Sequence, residues 1–269
     1  MLLNAGLGFI IGIILALTGA GGGILAVPVL IFGAGLSAAQ AGPIGLMAVG
    51  MAAALGAVLG LRAGIVRYKA ALLIATCGMV MAPPGLWLAH HCDNRLLTFL
   101  FAGVLLHVAI RMLRQSIHPP GRAVTADAGI GMQPPCIRNT DTGKIIWTTP
   151  CARALAISGV VAGFLSGLLG VGGGFVMVPA LQRCTDLAMK SIVATSLAVI
   201  ALVSMAGVLS SSLFGHLNWA VALPFSGGAL AGMLGGRMLS GRLSGPRLQQ
   251  GFAIVAAIVA SGMIVKAMR

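Results

Sequence analysis

Two short stretches hold the residues best suited to chemistry. They are "GAGGGILAVP" at residues 19–28 and "GVGGGFVMVP" at residues 170–179, the second 151 positions after the first. Glycine tolerates left-handed backbone and lets another group approach the chain closely, whereas Pro28 and Pro179, lacking an N–H, suit the entry or kink of a helical segment. Amides left free at such a break, together with positive helix ends, attract anions. The candidate binding groups are therefore the backbone at Gly19, Gly21, Gly22 and Gly23 and at Gly170, Gly172, Gly173 and Gly174, with the hydroxyls of Thr18 and Ser166 beside them. A plainer use of such glycines is tight helix packing; their duplication, each time with a proline following, favours a site. A dinucleotide fingerprint fits poorly, because neither run follows a strand in an alternating strand and helix pattern and no acidic residue stands about 20 positions on.

The ionisable residues exclude more than they offer. Asp93, Asp127, Asp141 and Asp186 are the only acids, and all four fall between apolar runs, so no buried carboxylate is expected for a proton relay or a cation site. An anion site of amides and hydroxyls is compatible with that absence. His107, inside an uncharged run, is expected to be a hydrogen-bonded core histidine; carrying a coupled proton is its less favoured use. His90, His91, Cys92 and Asp93 are adjacent on a short loop and cannot all converge on one ion, so no metal is expected. Lys190, one turn before Thr195, either draws anions toward one side or snorkels to headgroups. No activated nucleophile, acid or base stands out in the apolar runs, which argues against an enzyme, and no cofactor is called for.

The elements that must position these groups are membrane helices. Of 269 residues 58% are hydrophobic and 8% charged, with a mean hydropathy of +1.04. Residues 1–61 carry no charge, and further uncharged runs cover 70–89, 96–110, 154–182, 191–236 and 248–265; a span needs roughly 20 apolar residues. The first helix is expected to be retained, since no charged leader precedes it and no convincing cleavage site ends it. With 40 Gly against three Trp and one Tyr, the helices are expected to pack through small residues. The net charge of +13 falls almost entirely between apolar runs, where topology and anionic lipid account for it better than nucleic acid does. The five Cys form no C-x-x-C pair and read as mostly inert thiols.

The duplication extends beyond the glycine runs. Gly8 and Gly12 match Gly159 and Gly163, Gly45-Leu46 matches Ser196-Leu197, Gly56 matches Gly207, and Gly64 matches Gly215. Two homologous halves, residues 1–113 and 151–269, are thus separated by a proline-rich extramembrane linker at 114–150, expected to be cytoplasmic. Charge predicts that the halves are inverted: Arg62, Arg67 and Lys69 follow the second apolar block of the first half, the matching loop near Gly215 has no Lys or Arg, and the next pair of loops reverses the asymmetry. With residues near Asp186 then on the linker's side, 154–182 must leave and return as a hairpin of two partial helices meeting at 170–174, and 4–35 does likewise. The expectation is an all-α polytopic membrane protein in which each half is a glycine-broken hairpin plus three transmembrane helices.

At "SGLLGVGGGFVMVPAL" (166–181), "LALTGAGGGILAVPVL" (15–30) and "IVATSLAVI" (192–200) the chain resembles the TauE/SafE sulfite exporter family, over both halves but not the linker. The resemblance implies a secondary transporter in the bacterial inner membrane for a small anion such as sulfite, a sulfonate or a related organosulfur compound. One departure is "GPIGLMAVG" in the first half, where the family more often has a small hydroxyl residue near Gly45. Any hydroxyl contacts in this region then come from Thr195 and Ser196 of the second half alone, although back-bonding to a helical carbonyl would serve them equally. The other departure is a longer, more proline-rich linker. An anion channel and a non-transporting scaffold subunit are the alternative functions.

Overall fold

Glycines spaced four apart let pairs of helices approach until their backbones touch, and this contact organises the fold. The computed structural model describes residues 2–18, 23–117, 136, 148–185, 187–213, 218–243 and 246–268. The described elements are α1 (Leu2–Thr18), α2 (Ala26–Gly33), α3 (Ala38–Arg62), α4 (Tyr68–His91), α5 (Asn94–Ile117), α6 (Thr149–Leu169), α7 (Gly174–Cys184), α8 (Met189–Leu213), α9 (Trp219–Leu243) and α10 (Pro246–Met268). Among the described residues the one departure from helix pairing is an isolated bridge between Cys136 and Thr185. Six helices are long and apolar enough to cross a membrane, in α3, α4, α5, α6, α8 and α9. Large apolar side chains such as Leu72, Val80, Met205 and Leu209 are exposed on them, as a hydrocarbon solvent allows.

The helices pair across the halves. α1 lies along α9, where a Cβ on Gly8, Gly12, Gly228 or Gly232 would strike the partner's backbone. α6 lies along α4 in the same way: a Cβ on Gly159 would meet the Ile74 carbonyl oxygen at 2.6 Å, and one on Gly163 or Gly167 would strike Gly78 or Ala82. Contacts advance in step along both helices of each pair, so both pairs are parallel. α3 and α8 pack in the opposite sense. A Cβ on Gly56 would come 2.9 Å from Leu197 Cδ1, and one on Gly207 would come 2.9 Å from Leu46 Cδ1, the same contact made once by each half. α5 and α10 complete the set, and exchanging the halves maps these pairings onto themselves.

Caps fix where the elements begin. Ser37 opens α3 with a capping box, its hydroxyl accepting from the Gln40 N–H while the Gln40 side chain accepts from the Ser37 N–H. Thr148 caps α6 with Pro150 in its first turn. α6 consequently starts several residues before the uncharged run and, at 21 residues, is long enough to cross, whereas α7 has 11. The second hairpin therefore joins a helix of 21 residues to one of 11; Arg153 precedes the uncharged run without interrupting the helix, because its side chain is exposed.

Two expectations are corrected. His107 is exposed: Phe101, Ala102, Leu105, Val108 and Ala109 form the buried arc of α5, and His107 falls outside it. The cysteines are not all thiols, because Cys136 and Cys151 form a disulfide; Cys77, Cys92 and Cys184 are free. Nothing in the spacing of these residues signalled a pair, since the linker residue is brought to α6 by tertiary structure.

The backbone contact between α4 and α6 makes a direct prediction. Gly163→Ala should destabilise the protein by about 1–3 kcal/mol through overpacking. Gly103→Ala, where a Cβ meets nothing within 4 Å, should leave stability unchanged or slightly raised. Thermal unfolding in detergent compares the two, and equal melting temperatures would rule out a tight α4–α6 contact.

Candidate functional site

The second hairpin turns between α6 and α7 through Gly170, Gly172 and Gly173, all at positive φ (70°, 76° and 68°), a conformation that leaves residues 171–175 without helical acceptors. The Gly170 N–H donates to the Ser166 carbonyl at 2.8 Å and closes α6. Beyond it, the N–H groups of Val171, Gly172, Gly173, Gly174 and Phe175 have no hydrogen-bond partner among the described residues, although all five residues are buried. They point from the start of α7, whose backbone dipole adds positive potential there.

Other buried groups are in the same condition. Ser166, Ser196 and Ser204 have 0% exposure, and their Oγ atoms have no partner. Ser226 on α9, at 1% exposure, is likewise unpaired. Ser196, Ile200 and Ser204 lie on one stripe of α8 at i, i+4 and i+8. A Cβ on Gly172 would sit 2.9 Å from Ile200 Cγ2, 3.1 Å from Ser204 Oγ and 3.3 Å from Val49 Cγ1. Val49 and Ile200 are each one residue from the middle of their 25-residue helices, which puts the turn at mid-depth. Ser204 was not singled out from the sequence; a lone serine in "ALVSMAG" has no motif, and only the fold brings it to Gly172.

The first glycine run meets the second here. A Cβ on Gly23 would lie 3.0 Å from Val49 Cγ1 and 3.2 Å from the Val171 carbonyl oxygen, so Gly23 meets the second turn directly and Val49 Cγ1 lies against both. Gly19, Gly21 and Gly22, and the Thr18 side chain, lie outside the described residues. Pro28 is buried in the first turn of α2, where a missing N–H removes no helical bond, and Pro179 sits half-buried inside α7. Gly45, where the resemblance leads one to expect a hydroxyl, has no room for it: a Cβ would lie 3.0 Å from the Gly170 carbonyl oxygen and 3.2 Å from Val27 Cγ2. Gly173 faces its own hairpin, since a Cβ there would meet the Ala162 carbonyl oxygen at 2.7 Å.

Thr195 does different work from its neighbour Ser196. Its Oγ1 accepts the Arg67 N–H at 3.1 Å, tying the start of α4 to α8. The Arg67 Nε is buried without a partner beside it. Lys190, at the start of α8, is exposed, as are Asp93 and His91, the latter with its ring stacked on Trp87.

A bundle of apolar helices, six of them long enough to cross a membrane, that buries a glycine turn at mid-depth defines a polytopic membrane protein. The chain matches the family described as sulfite exporter TauE/SafE over residues 4–263 and belongs to it, a family of membrane transporters and not of enzymes. It is 27% identical over 264 residues to a probable membrane transporter protein of Xylella fastidiosa, covering 97% of this chain and 93% of that one. It is 30% identical over 237 residues to the probable membrane transporter protein YunE of Bacillus subtilis, with 84% and 83% covered. A probable membrane transporter protein of Methanocaldococcus jannaschii is 29% identical over 209 residues, with 76% and 69% covered. No solved structure matches the chain.

The two kinds of buried hydroxyl should respond differently to removal. Ser204→Ala deletes an unsatisfied group and should leave the melting temperature in detergent unchanged or raised, whereas Thr195→Ala orphans the Arg67 N–H and should cost about 1–3 kcal/mol. A larger loss for Ser204→Ala than for Thr195→Ala would mean that the Ser204 hydroxyl has a partner.

Proposed function

We propose that the protein is a secondary transporter that moves a small anion by alternating access at a site between its two glycine turns. The substrate class is sulfite, a sulfonate or a related organosulfur anion, as the family's name suggests. The observation that carries this reading is the set of five buried amides with no partner among the described residues, beside the unpaired hydroxyls of Ser166 and Ser204. Each such group costs several kcal/mol in an apolar interior unless a ligand or water satisfies it. The donors also suit an oxyanion, whose oxygens accept hydrogen bonds and whose charge the α7 dipole favours. Gly19, Gly21, Gly22 and Thr18 are assigned to the same site by their repeat relation to Gly170, Gly172, Gly173 and Leu169, with Pro28 and Pro179 shaping the half helices and Ser196 beside the approach along α8.

The halves are read as inverted repeats. The antiparallel packing of the matching helices α3 and α8, with its reciprocal Gly56 and Gly207 contacts, supports this. Helix directions then put Arg62, Arg67, Lys69, Arg114, Arg153 and Lys190 on one face, and Asp93 and Arg95, which cancel, on the other, with Lys266 the basic residue that departs from this asymmetry. The positive-inside rule makes the first face cytoplasmic, together with the linker at 114–150 between the repeats at 1–113 and 151–269.

Two experiments test the reading. Purified protein in proteoliposomes should show saturable counterflow of labelled sulfite, competed by its best substrates among thiosulfate, sulfonates, sulfate and carboxylates. Ser204→Ala should fold normally and slow the exchange by about tenfold or more, since a hydrogen bond to a charged group is worth about 1.5–3 kcal/mol. Flux without counterflow would indicate a channel, and folded protein with no flux of any of these anions a scaffold; either result defeats the proposal. For sidedness, a cysteine at Lys69 in protein free of native cysteines should react with an impermeant maleimide only after the cytoplasmic face is opened. Labelling from intact cells would reverse the orientation.

A further inference from the structure

Three cysteines gather at the mouth of the second hairpin, on the basic face. Cys151 is in the first turn of α6, its N–H bonded to Thr148 Oγ1 at 3.3 Å. Cys136 is joined to Cys151 by the disulfide, and its backbone N–H donates to the Cys184 carbonyl at the end of α7 at 3.1 Å. One linker residue thus touches both legs of the hairpin, one covalently and the other through the backbone. The position matching Cys184 in the first half is Gly33, so this arrangement is not duplicated there. Disulfides persist in oxidising compartments, while those facing the cytosol are transient, catalytic or redox-sensing. A disulfide on the face that carries the basic residues therefore belongs to the second kind.

We propose that Cys136 and Cys151 are a reversible thiol–disulfide site on the cytoplasmic face, whose oxidation ties the legs of the second hairpin together and slows transport. The effect on transport and the sidedness rest on the reading above. α6 packs on α4 and α7 packs on α8, so joining the legs couples those two helices across the mouth and opposes any rearrangement that parts them. The oxidant is a small-molecule disulfide such as oxidised glutathione. The Cys151 thiolate, favoured by the helix N-terminus, attacks one of its sulfurs and releases one thiol. The Cys136 thiolate then attacks Sγ of Cys151 and releases the second, so two cysteine thiols are oxidised and one disulfide is reduced to two thiols. Cys184 stays out of the exchange: burial pushes its thiol up, and Arg183 opposes this only in part. Cys136 and Cys151 are 1% and 0% exposed once joined, so reduction should be slower than oxidation.

The test counts thiols in the full-length protein in bacterial cells by acid quenching, blocking with N-ethylmaleimide, reducing and tagging with a maleimide polymer. Untreated cells should show Cys136 and Cys151 reduced, and diamide should join them in the wild type and in Cys184→Ser but not in Cys136→Ser. In proteoliposomes the oxidised protein should exchange labelled sulfite at least about fivefold more slowly, the low end of ordinary coupling between sites. Dithiothreitol should restore the rate, and Cys136→Ser/Cys151→Ser should be insensitive to both reagents. A bond present in untreated cells and lost in cells lacking the periplasmic thiol oxidase would overturn the switch and the sidedness together. A bond that never forms with oxidant, or that forms without changing the exchange rate, would overturn the proposal while leaving the transport reading intact. Reversible thiols in a protein with no exchange in either state would uphold the redox site and remove the transport reading.

Discussion

A backbone N–H abandoned in an apolar interior is the constraint from which the rest of this structure follows. Most of the chain meets it by forming helices. At residues 170–173 it does not, because three left-handed glycines turn the chain at mid-depth and leave the next donors without a partner among the described residues. Such a turn persists only where protein surrounds it. Here Val49 and Gly42 of α3 and Ile200 and Ser204 of α8 enclose it, and the first hairpin closes on it at Gly23. The donors are thereby shielded from lipid and kept available.

The same packing explains why so few side chains carry function. Lipid gives no hydrophobic reason for one helix to prefer another, so close backbone contact and specific hydrogen bonds hold the bundle. The α1–α9 and α4–α6 pairs supply the first through their glycines, and the Arg67 N–H to Thr195 bond and the Ala38 N–H to Asn94 bond, at 3.1 Å each, supply the second. An interior built this way contains amides and hydroxyls but no described carboxylate, which is consistent on electrostatic grounds with the anionic substrate proposed above. The charge that the interior lacks is concentrated outside it, at the ends of the helices.

Much of the architecture was legible in the sequence because it depends on local quantities. Uncharged runs of span length, four-residue glycine spacing and the fixed offset between the halves mark the long helices and the hairpins without any knowledge of contacts. Boundaries were less legible. α6 begins before Ala154 because a threonine cap and an early proline outweigh one exposed arginine, and His107 leaves the core because helical phase, not hydropathy, decides which arc of α5 is buried.

The sequence alone determined the solvent, the fold class and the family, since length, apolarity and repeated motifs suffice for these. Tertiary structure decided which groups share a space. Ser204 is unremarkable in its own segment and becomes a neighbour of Gly172 only because α8 packs against the turn. Cys136 and Cys151 are 15 residues apart with no pairing signal, and meet only in the folded chain, where Cys136 sits at the mouth of the hairpin. Thr195 and Ser196 are adjacent in the chain, yet 100° around a helix gives one a backbone donor and leaves the other without a partner. Direction and depth, which no linear pattern encodes, separate a site residue from a tie.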